Sequence, residues 1–225
     1  MLHSASISKS LQNRAAAQIS TRRIYHRRIK PLFDLLLALA FVPLLAPVIA
    51  VLWGLARLDG GPGFYGHRRI GRNGKVFRCW KIRTMVPDAE RRLALYLATN
   101  ADAAVEWQLS RKLSDDPRVT RLGRFLRKTS LDELPQLWNV LRGEMSFVGP
   151  RPVTEDELAL YHHRRDAYLC LRPGITGFWQ ILGRSDLPYS LRVEMDAAYV
   201  QKSSLFMDIG LILLTAATVL RGTGQ

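Results

Sequence analysis

The chain has 225 residues, a formal charge of +14 from 33 Lys and Arg against 19 Asp and Glu, and 48% hydrophobic residues. That length allows one domain of ordinary size and excludes a chain too short to bury a core. The only cysteines, Cys79 and Cys170, argue against a disulfide-built secreted fold, fit a reducing compartment and lack metal-site spacing.

The charge is unevenly placed. No acid precedes Asp34, while Lys9, Arg14, Arg22, Arg23, Arg27, Arg28 and Lys30 carry seven positive charges, half of the net excess. Such a leader suits an anionic partner: lipid headgroups, nucleic acid or a phosphorylated substrate. Its acid-free composition also matches an organellar transit peptide. Residues 1–25 are expected to form a basic, flexible tail.

From Leu35 to Leu55, "LLLALAFVPLLAPVIAVLWGL" contains no charge and runs about 21 residues, the length of a spanning helix. It is too long and too far from the start to be a signal peptide. Pro43 and Pro47 lie inside the run, and each removes a backbone donor and clashes with the preceding turn. Both flanks are basic, with "RRIYHRRIK" before and Arg57 followed by "HRRIGRNGK" after. A spanning helix should instead show a one-sided excess of Lys and Arg on the cytoplasmic side. Two readings fit: a single-pass anchor that carries prolines, or a proline-broken helix whose two ends return to one face. Asp34, at the edge of the run, is expected to cap the helix or pair with a nearby Arg.

Beyond the membrane segment, "FYGHRRIGRNGKVFRCWKIRTM" reads as a hairpin turning at Asn73-Gly74, a pair that tolerates positive φ. One helix is predicted after Pro87-Asp88, through "AERRLALYLATNADAAVEWQL", and "DDPRVT" at 115–120 ends the pattern. Next come a helix containing "LPQLWNVL", the turn "GEMSFVGPRP", and a helix opening at Thr154 with a capping box to Glu157. "RPGITGFWQ" reads as loop or short strand. A final helix pair covers roughly 190–202 and 205–220; the last is apolar but only about sixteen residues, which suits a core or interfacial position. "GPGFYG" at 61–66 matches a dinucleotide-loop spacing by accident, because Pro62 interrupts it and a hairpin follows. His162-His163 lies in a polar stretch and reads as a solvated face.

The segment "KTSLDELPQLWNVLRGEMSFVGPRP" sets Asp132 beside Glu133 in an otherwise basic neighbourhood. Pro135 is best tolerated in a first helical turn, so a helix should begin close to Asp132. Two readings of the acids follow. In the first, Asp132 caps the helix and Ser130 and Glu133 share a capping box. In the second, the pair is chemistry: an ionised Asp can attack phosphorus, a neighbouring Glu can hold Mg²⁺, and basic residues can neutralise a diphosphate. Lys81, Arg83, Arg127 and Arg151 are the candidate phosphate partners, with Arg151 aimed by the stiff "GPRP" turn.

Taken in order, "KPLFDLLLALAFVPLLAPVIA", "GPGFYGHRRIGRNGKVFRCWKIRTM", "DDPRVTRLGRFLRKTSLDELPQLWNVLRGEMSFVGPRPV", "RPGITGFWQILGR" and "MDAAYV" resemble the bacterial sugar transferases, the monotopic polyprenyl-phosphate phosphoglycosyl transferases. The resemblance covers roughly residues 24–220 and is most specific in the long central block. Within the family the chain is similar to the short exopolysaccharide starters, the undecaprenyl-phosphate galactose phosphotransferases.

The resemblance implies a mainly α fold with a small β-hairpin, built as a monotopic membrane protein. Residues 26–58 would form a re-entrant helix broken at Pro43 or Pro47, and 59–225 one catalytic domain on the cytoplasmic face of the bacterial plasma membrane. It implies transfer of a hexose-1-phosphate from a UDP-sugar to undecaprenyl phosphate with release of UMP. Asp132 would be the nucleophile, Glu133 the Mg²⁺ ligand, Arg127 and Arg151 phosphate or nucleotide partners, and Lys81 and Arg83 part of a basic strand. Anionic membrane lipids are expected partners, and nucleic acid is not.

Two positions depart from the family pattern. Ala46-Pro47 stands where some members have Ser before proline, and Leu182 where many have a small polar residue. The rival reading from another class is a membrane-tethered basic protein that binds nucleic acid or anionic lipid without catalysis.

Overall fold

The structure, a computed structural model, describes residues 24–110, 112–182 and 188–220. The expected tail lies outside the described residues apart from Ile24 and Tyr25. Two compact units share the chain. One takes the chain up to Phe41, Arg68–Arg78 and Leu137–Ala216; the other takes Val42–His67, Cys79–Gln136 and Ala217 onward.

A π-turn, Tyr25–Ile29, leads into helix α1, Lys30–Ala56. At 27 residues α1 is about 40 Å long, and it is helical throughout, Pro43 and Pro47 included. Only 11% of its most apolar 18-residue stretch is buried within the protein. Leu36, Leu44 and Val51 are 58%, 66% and 62% exposed, so α1 has the length and composition to enter a membrane and an apolar surface that water would leave unsolvated.

The hairpin forms where the sequence places it. Strands β1 (Phe64–Ile70) and β2 (Val76–Ile82) pair around a tight turn in which Asn73 and Gly74 both have positive φ, +58° and +76°. The helix predicted after Asp88 is two helices, α2 (Ala89–Thr99) and α3 (Ala101–Ser110). Asn100 divides them, because its side-chain oxygen accepts the Ala103 N–H at 3.0 Å and so starts the second helix.

In the second unit, Leu52 and Ala56 of α1, Ile82 of β2 and Leu126 form one apolar cluster, with Trp53, Leu122, Leu131 and Leu134 against it. Leu126 belongs to α4 (Arg121–Thr129), opened by Thr120, whose hydroxyl accepts the Gly123 N–H at 2.8 Å. The approach of α4 to the chain just after β2 requires that glycine: a Cβ at Gly123 would lie 2.0 Å from the Thr84 carbonyl oxygen. We expect Gly123→Ala to cost about 2–3 kcal/mol and lower Tm by several degrees, as other overpacked contacts do. An unchanged thermal transition would show that this packing is looser than its geometry.

In the first unit the main surprise is a second sheet. β3 (Ser146–Val148) and β4 (Gly174–Thr176) pair in parallel, Ser146 opposite Gly174 and Val148 opposite Thr176. The "GEMSFVGPRP" turn therefore contains a strand, and the fold is mainly helical with two small sheets rather than one. The Thr154–Glu157 capping box is present and opens the short helix Glu155–Ala159. The final pair appears as α9 (Tyr189–Lys202) and α10 (Leu205–Leu220), preceded in chain order by the short helices α5 (Gln136–Leu141), α6 (Glu155–Ala159), α7 (Arg165–Leu169) and α8 (Phe178–Leu182). Val148, Leu171, Tyr199 and Leu211 form a core that α9 and α10 help close. His162 and His163 are exposed, as a solvated face requires.

A buried polar network also lies in this unit. The Asp208 carboxylate, wholly buried in α10, pairs with the Lys30 ammonium and accepts the Tyr25 and Tyr199 hydroxyls at 2.6 and 2.7 Å. Asp34 neither caps α1 nor pairs with an arginine. Its Oδ1 accepts from the Ser146 hydroxyl at 3.0 Å and the Phe147 N–H at 3.2 Å, with Lys30 Nζ 4.0 Å away.

Candidate active site

The acid pair lies in a 3₁₀ turn, Leu131–Glu133, between α4 and α5. α4 stops at Ser130, which adopts the left-handed conformation (φ 58°) and makes no side-chain cap. The α-helix with Trp138 begins at Gln136 rather than near Asp132. The Ser130–Glu133 capping box is therefore not formed, and the helix-cap reading of the acids loses its geometry.

Asp132 instead turns inward. It is 8% exposed, while the Glu133 side chain is 36% exposed. Lys81 of β2 meets both: its Nζ is 2.5 Å from Glu133 Oε1 and 3.8 Å from Asp132 Oδ2. Strand alternation puts Lys81 there, since Phe77, Cys79 and Lys81 share a face and the first two are buried. Arg127 approaches from α4, its Nε donating to Thr84 Oγ1 at 3.0 Å.

These neighbours set the proton affinity of Asp132. Burial pushes its carboxyl up to about 6, with the Glu133 charge adding to the rise and Lys81 and Arg127 pulling against it. Burial pulls the Lys81 ammonium down, but the Glu133 and Asp132 charges outweigh this and hold it above its ordinary range. At neutral pH the arrangement is a buried carboxylate, mostly ionised, beside a cation and a half-exposed second carboxylate. A carboxylate so placed has the chemistry of a nucleophile in a weakly hydrated setting, flanked by charges suited to a phosphate.

Arg83 is placed otherwise. It is 8% exposed, and its guanidinium donates to both Asp59 oxygens and to the carbonyls of Ala56, Pro62 and Met85. All five of its N–H donors are used. It ties the end of α1 to the loop before β1, and Asp59, which the sequence reading passed over, is its partner. Arg83 is not brought to the acid pair as a free phosphate fork.

Arg151 belongs to the first unit. Its guanidinium lies over the Trp179 ring at 5.1 Å from the centroid, and Arg192 lies over the same ring at 5.0 Å. Asp196 is close by and accepts the Tyr161 hydroxyl at 2.7 Å; burial pushes its carboxyl up to about 7, against the Tyr161 bond and the Arg151 amide and charge. Trp179 and Arg192 were not singled out from the sequence, where nothing marks an arginine 41 residues downstream as sharing a ring with Arg151. The Leu182 side chain, flagged as a departure, lies outside what the structure describes.

Comparison with known proteins places the chain in a family. The family described as "Bacterial sugar transferase" matches residues 25–222. The chain is 50% identical over 194 residues to the "Exopolysaccharide production protein ExoY" of Sinorhizobium fredii, covering 86% of each protein. It is 47% identical over 198 residues to the "Undecaprenyl-phosphate galactose phosphotransferase" of Salmonella typhimurium, covering 88% of this chain and 42% of that one. It is 40% identical over 200 residues to the "Undecaprenyl-phosphate glucose phosphotransferase" of Komagataeibacter xylinus, spanning 35% of that protein. With the family matched across nearly all of the described residues, the chain belongs to the bacterial sugar transferases.

Proposed function

We propose that this chain transfers a hexose-1-phosphate from UDP-galactose or UDP-glucose to undecaprenyl phosphate, releasing UMP, as the first membrane step of exopolysaccharide synthesis. The names of its relatives support the reaction class, and those names include both sugars. The observation that carries the mechanism is the buried Asp132 carboxylate beside the Lys81–Glu133 pair.

Asp132 Oδ attacks the sugar-bearing phosphorus of the UDP-sugar. The bond from that phosphorus to the bridging oxygen breaks, UMP leaves, and a phosphosugar acyl phosphate remains on Asp132. An oxygen of undecaprenyl phosphate then attacks the same phosphorus and breaks the acyl–phosphate bond, which restores the carboxylate. The bond between sugar and phosphate oxygen never breaks, so the anomeric configuration is retained. Lys81 and Arg127 hold phosphate oxygens and offset the charge that builds on them.

Mg²⁺ fits the donor set. It takes one or two carboxylates and completes its shell with water and phosphate oxygens. Glu133, with Asp132 next to it, offers that chemistry, and among the described residues no group of three His, Cys, Asp or Glu side chains gathers to hold a metal. Bound Mg²⁺ supplies charge neutralisation on the diphosphate.

The deciding experiment is UMP release by the full chain in lipid nanoparticles, with Mg²⁺, undecaprenyl phosphate and a panel of UDP-sugars. Release with one sugar names the substrate; no release with any, from folded protein, sinks the proposal.

The acid limb of the pH profile gives a second test. The wild-type limb in kcat/KM should fall near pH 6, where Asp132 titrates. Lys81→Met removes a positive neighbour, disfavours the carboxylate and moves the limb to higher pH. Glu133→Gln removes a negative neighbour and moves residual activity the other way. Limbs that stay put in both variants would assign the titration to another group.

We further propose that α1 enters one leaflet and returns, so that both chain ends lie in the cytoplasm on the inner membrane of the cell. Pro43 and Pro47 each lack an N–H, which weakens the helix along one turn and permits a bend there. One leaflet is about half of a roughly 30 Å core, so a helix of this length has reach for both limbs. Reporter tags at residue 1 and residue 225 are both expected to read out as cytoplasmic; a tag at residue 1 on the outside excludes the re-entrant course.

A further inference from the structure

The first unit contains a small recess lined by His26, Lys30, Asp34, Arg72 and Arg172. Its residues are distinct from those around the acid pair. Lys30 is engaged with Asp208 and Asp34, and the His26 ring hydrogen-bonds the Ser203 hydroxyl at 2.7 Å. The two arginines are not so engaged. Among the described residues neither guanidinium has a carboxylate within ion-pair distance, and Arg72 Nε is buried with no hydrogen-bond partner.

Both are held in place by backbone. Arg72 sits in the hairpin turn, where Gly71 N–H donates to the Lys75 carbonyl at 2.7 Å and Asn73 takes positive φ. Arg172 precedes Pro173, whose carbonyl accepts the Ser146 N–H at 2.9 Å as β3 meets β4. Burial lowers the proton affinity of Arg172, Asp34 opposes this, and the Arg72 charge lowers it further. Two arginines line the recess, one with a buried N–H unsatisfied, and Asp34 beside them has its Oδ2 buried without a partner; the two positive charges outnumber this one negative charge and suit an oxyanion.

We propose that the Arg72–Arg172 recess is a binding site for a phosphate group. Its position points to a lipid headgroup as the source. Arg27 and Arg28, in the turn before α1, are exposed, and the apolar exposed face of α1 begins at Leu32. The recess therefore sits where a helix passes from water into hydrocarbon, the level occupied by lipid phosphates. A headgroup held there would fix the depth at which α1 enters the membrane.

The test is arginine footprinting with phenylglyoxal on the full chain in lipid nanoparticles, with peptides quantified by mass spectrometry. Particles of phosphatidylcholine alone are compared with particles containing phosphatidylglycerol, and exposed Arg124 serves as the reference. Phosphatidylglycerol is expected to slow modification of Arg72 and Arg172 about tenfold, the scale of one charge-assisted bond, and to leave Arg124 unchanged. Equal protection by inorganic phosphate added to phosphatidylcholine particles supports the site and assigns it to a soluble phosphate. Protection by neither overturns it. In native mass spectra of protein released from phosphatidylglycerol particles, Arg72→Gln is also expected to retain less phosphatidylglycerol than the wild type; equal retention overturns the assignment to this recess.

Discussion

Asp132→Asn is expected to lower UMP release by at least about 10⁴-fold while leaving the protein folded, the scale seen when an enzyme loses its nucleophile. The same variant should be as stable as the wild type or more so at pH 8. The reason lies in the sign of the Asp132 shift. Its carboxyl is raised to about 6 by burial, above the ordinary aspartate value, so the folded state prefers the protonated form. As pH rises from about 4 through 6, ionisation works increasingly against the fold, and above 6 the full penalty is present. Asn removes that penalty, so the gain in Tm should appear at pH 8 and vanish near pH 4.

A helix cap predicts the opposite: loss of the acid would cost about 1 kcal/mol and leave chemistry to be explained elsewhere. Wild-type protein given UDP-sugar without acceptor lipid should also gain the mass of a phosphosugar, and the variant should not. Release that persists in Asp132→Asn would place the nucleophile at another residue.

How much of this was legible in the sequence depends on the range over which each interaction acts. The hairpin turn at Asn73-Gly74 and the Thr154–Glu157 box were readable because their causes lie within four residues. α10 was readable from its nearly all-apolar run. The split at Asn100 had a local signal too, an N-cap residue in mid-pattern, but the amphipathic run on either side masked it. The β3–β4 sheet had none, since Ser146 and Gly174 pair across 27 residues of intervening chain and each strand is three residues long.

The candidate site divides in the same way. The acids were visible as adjacent letters, and the basic "KIR" of β2 as a strand end. The partition of labour was not: alternation sends Lys81 to the acid pair, while Arg83, just beyond the strand, is consumed by Asp59 and three carbonyls. Asp208 carried an overlooked signal. A lone carboxylate in an otherwise apolar sixteen-residue helix needs a buried cation, and Lys30 is that cation.

Lys30→Met should accordingly be among the most destabilising single changes in the chain. Removing the ammonium leaves Asp208 wholly buried with two tyrosine hydroxyls as its remaining partners, and leaves Asp34, 2% exposed, with the Ser146 hydroxyl and the Phe147 N–H. Deleting one member of a buried ion pair costs about 3–5 kcal/mol, because the other charge stays desolvated and unopposed. Asp208→Asn added to Lys30→Met removes that orphaned charge, and an amide oxygen can still accept from Tyr25 and Tyr199. The double variant should therefore recover a large part of the loss, a coupling that thermal unfolding of the full chain in lipid nanoparticles would read directly. Equal losses in the single and double variants would mean that Lys30 contributes through packing of its stem and not through charge. If the coupling is found, the pair explains why a lysine and an aspartate survive in apolar surroundings. Lys30 stands at the first residue of α1 and Asp208 in the first turn of α10, so their bond joins the base of α1 to α10. A hydrophobic pair of similar size could supply comparable stability, but not the fixed register that a charge with three named partners imposes on the start of α1.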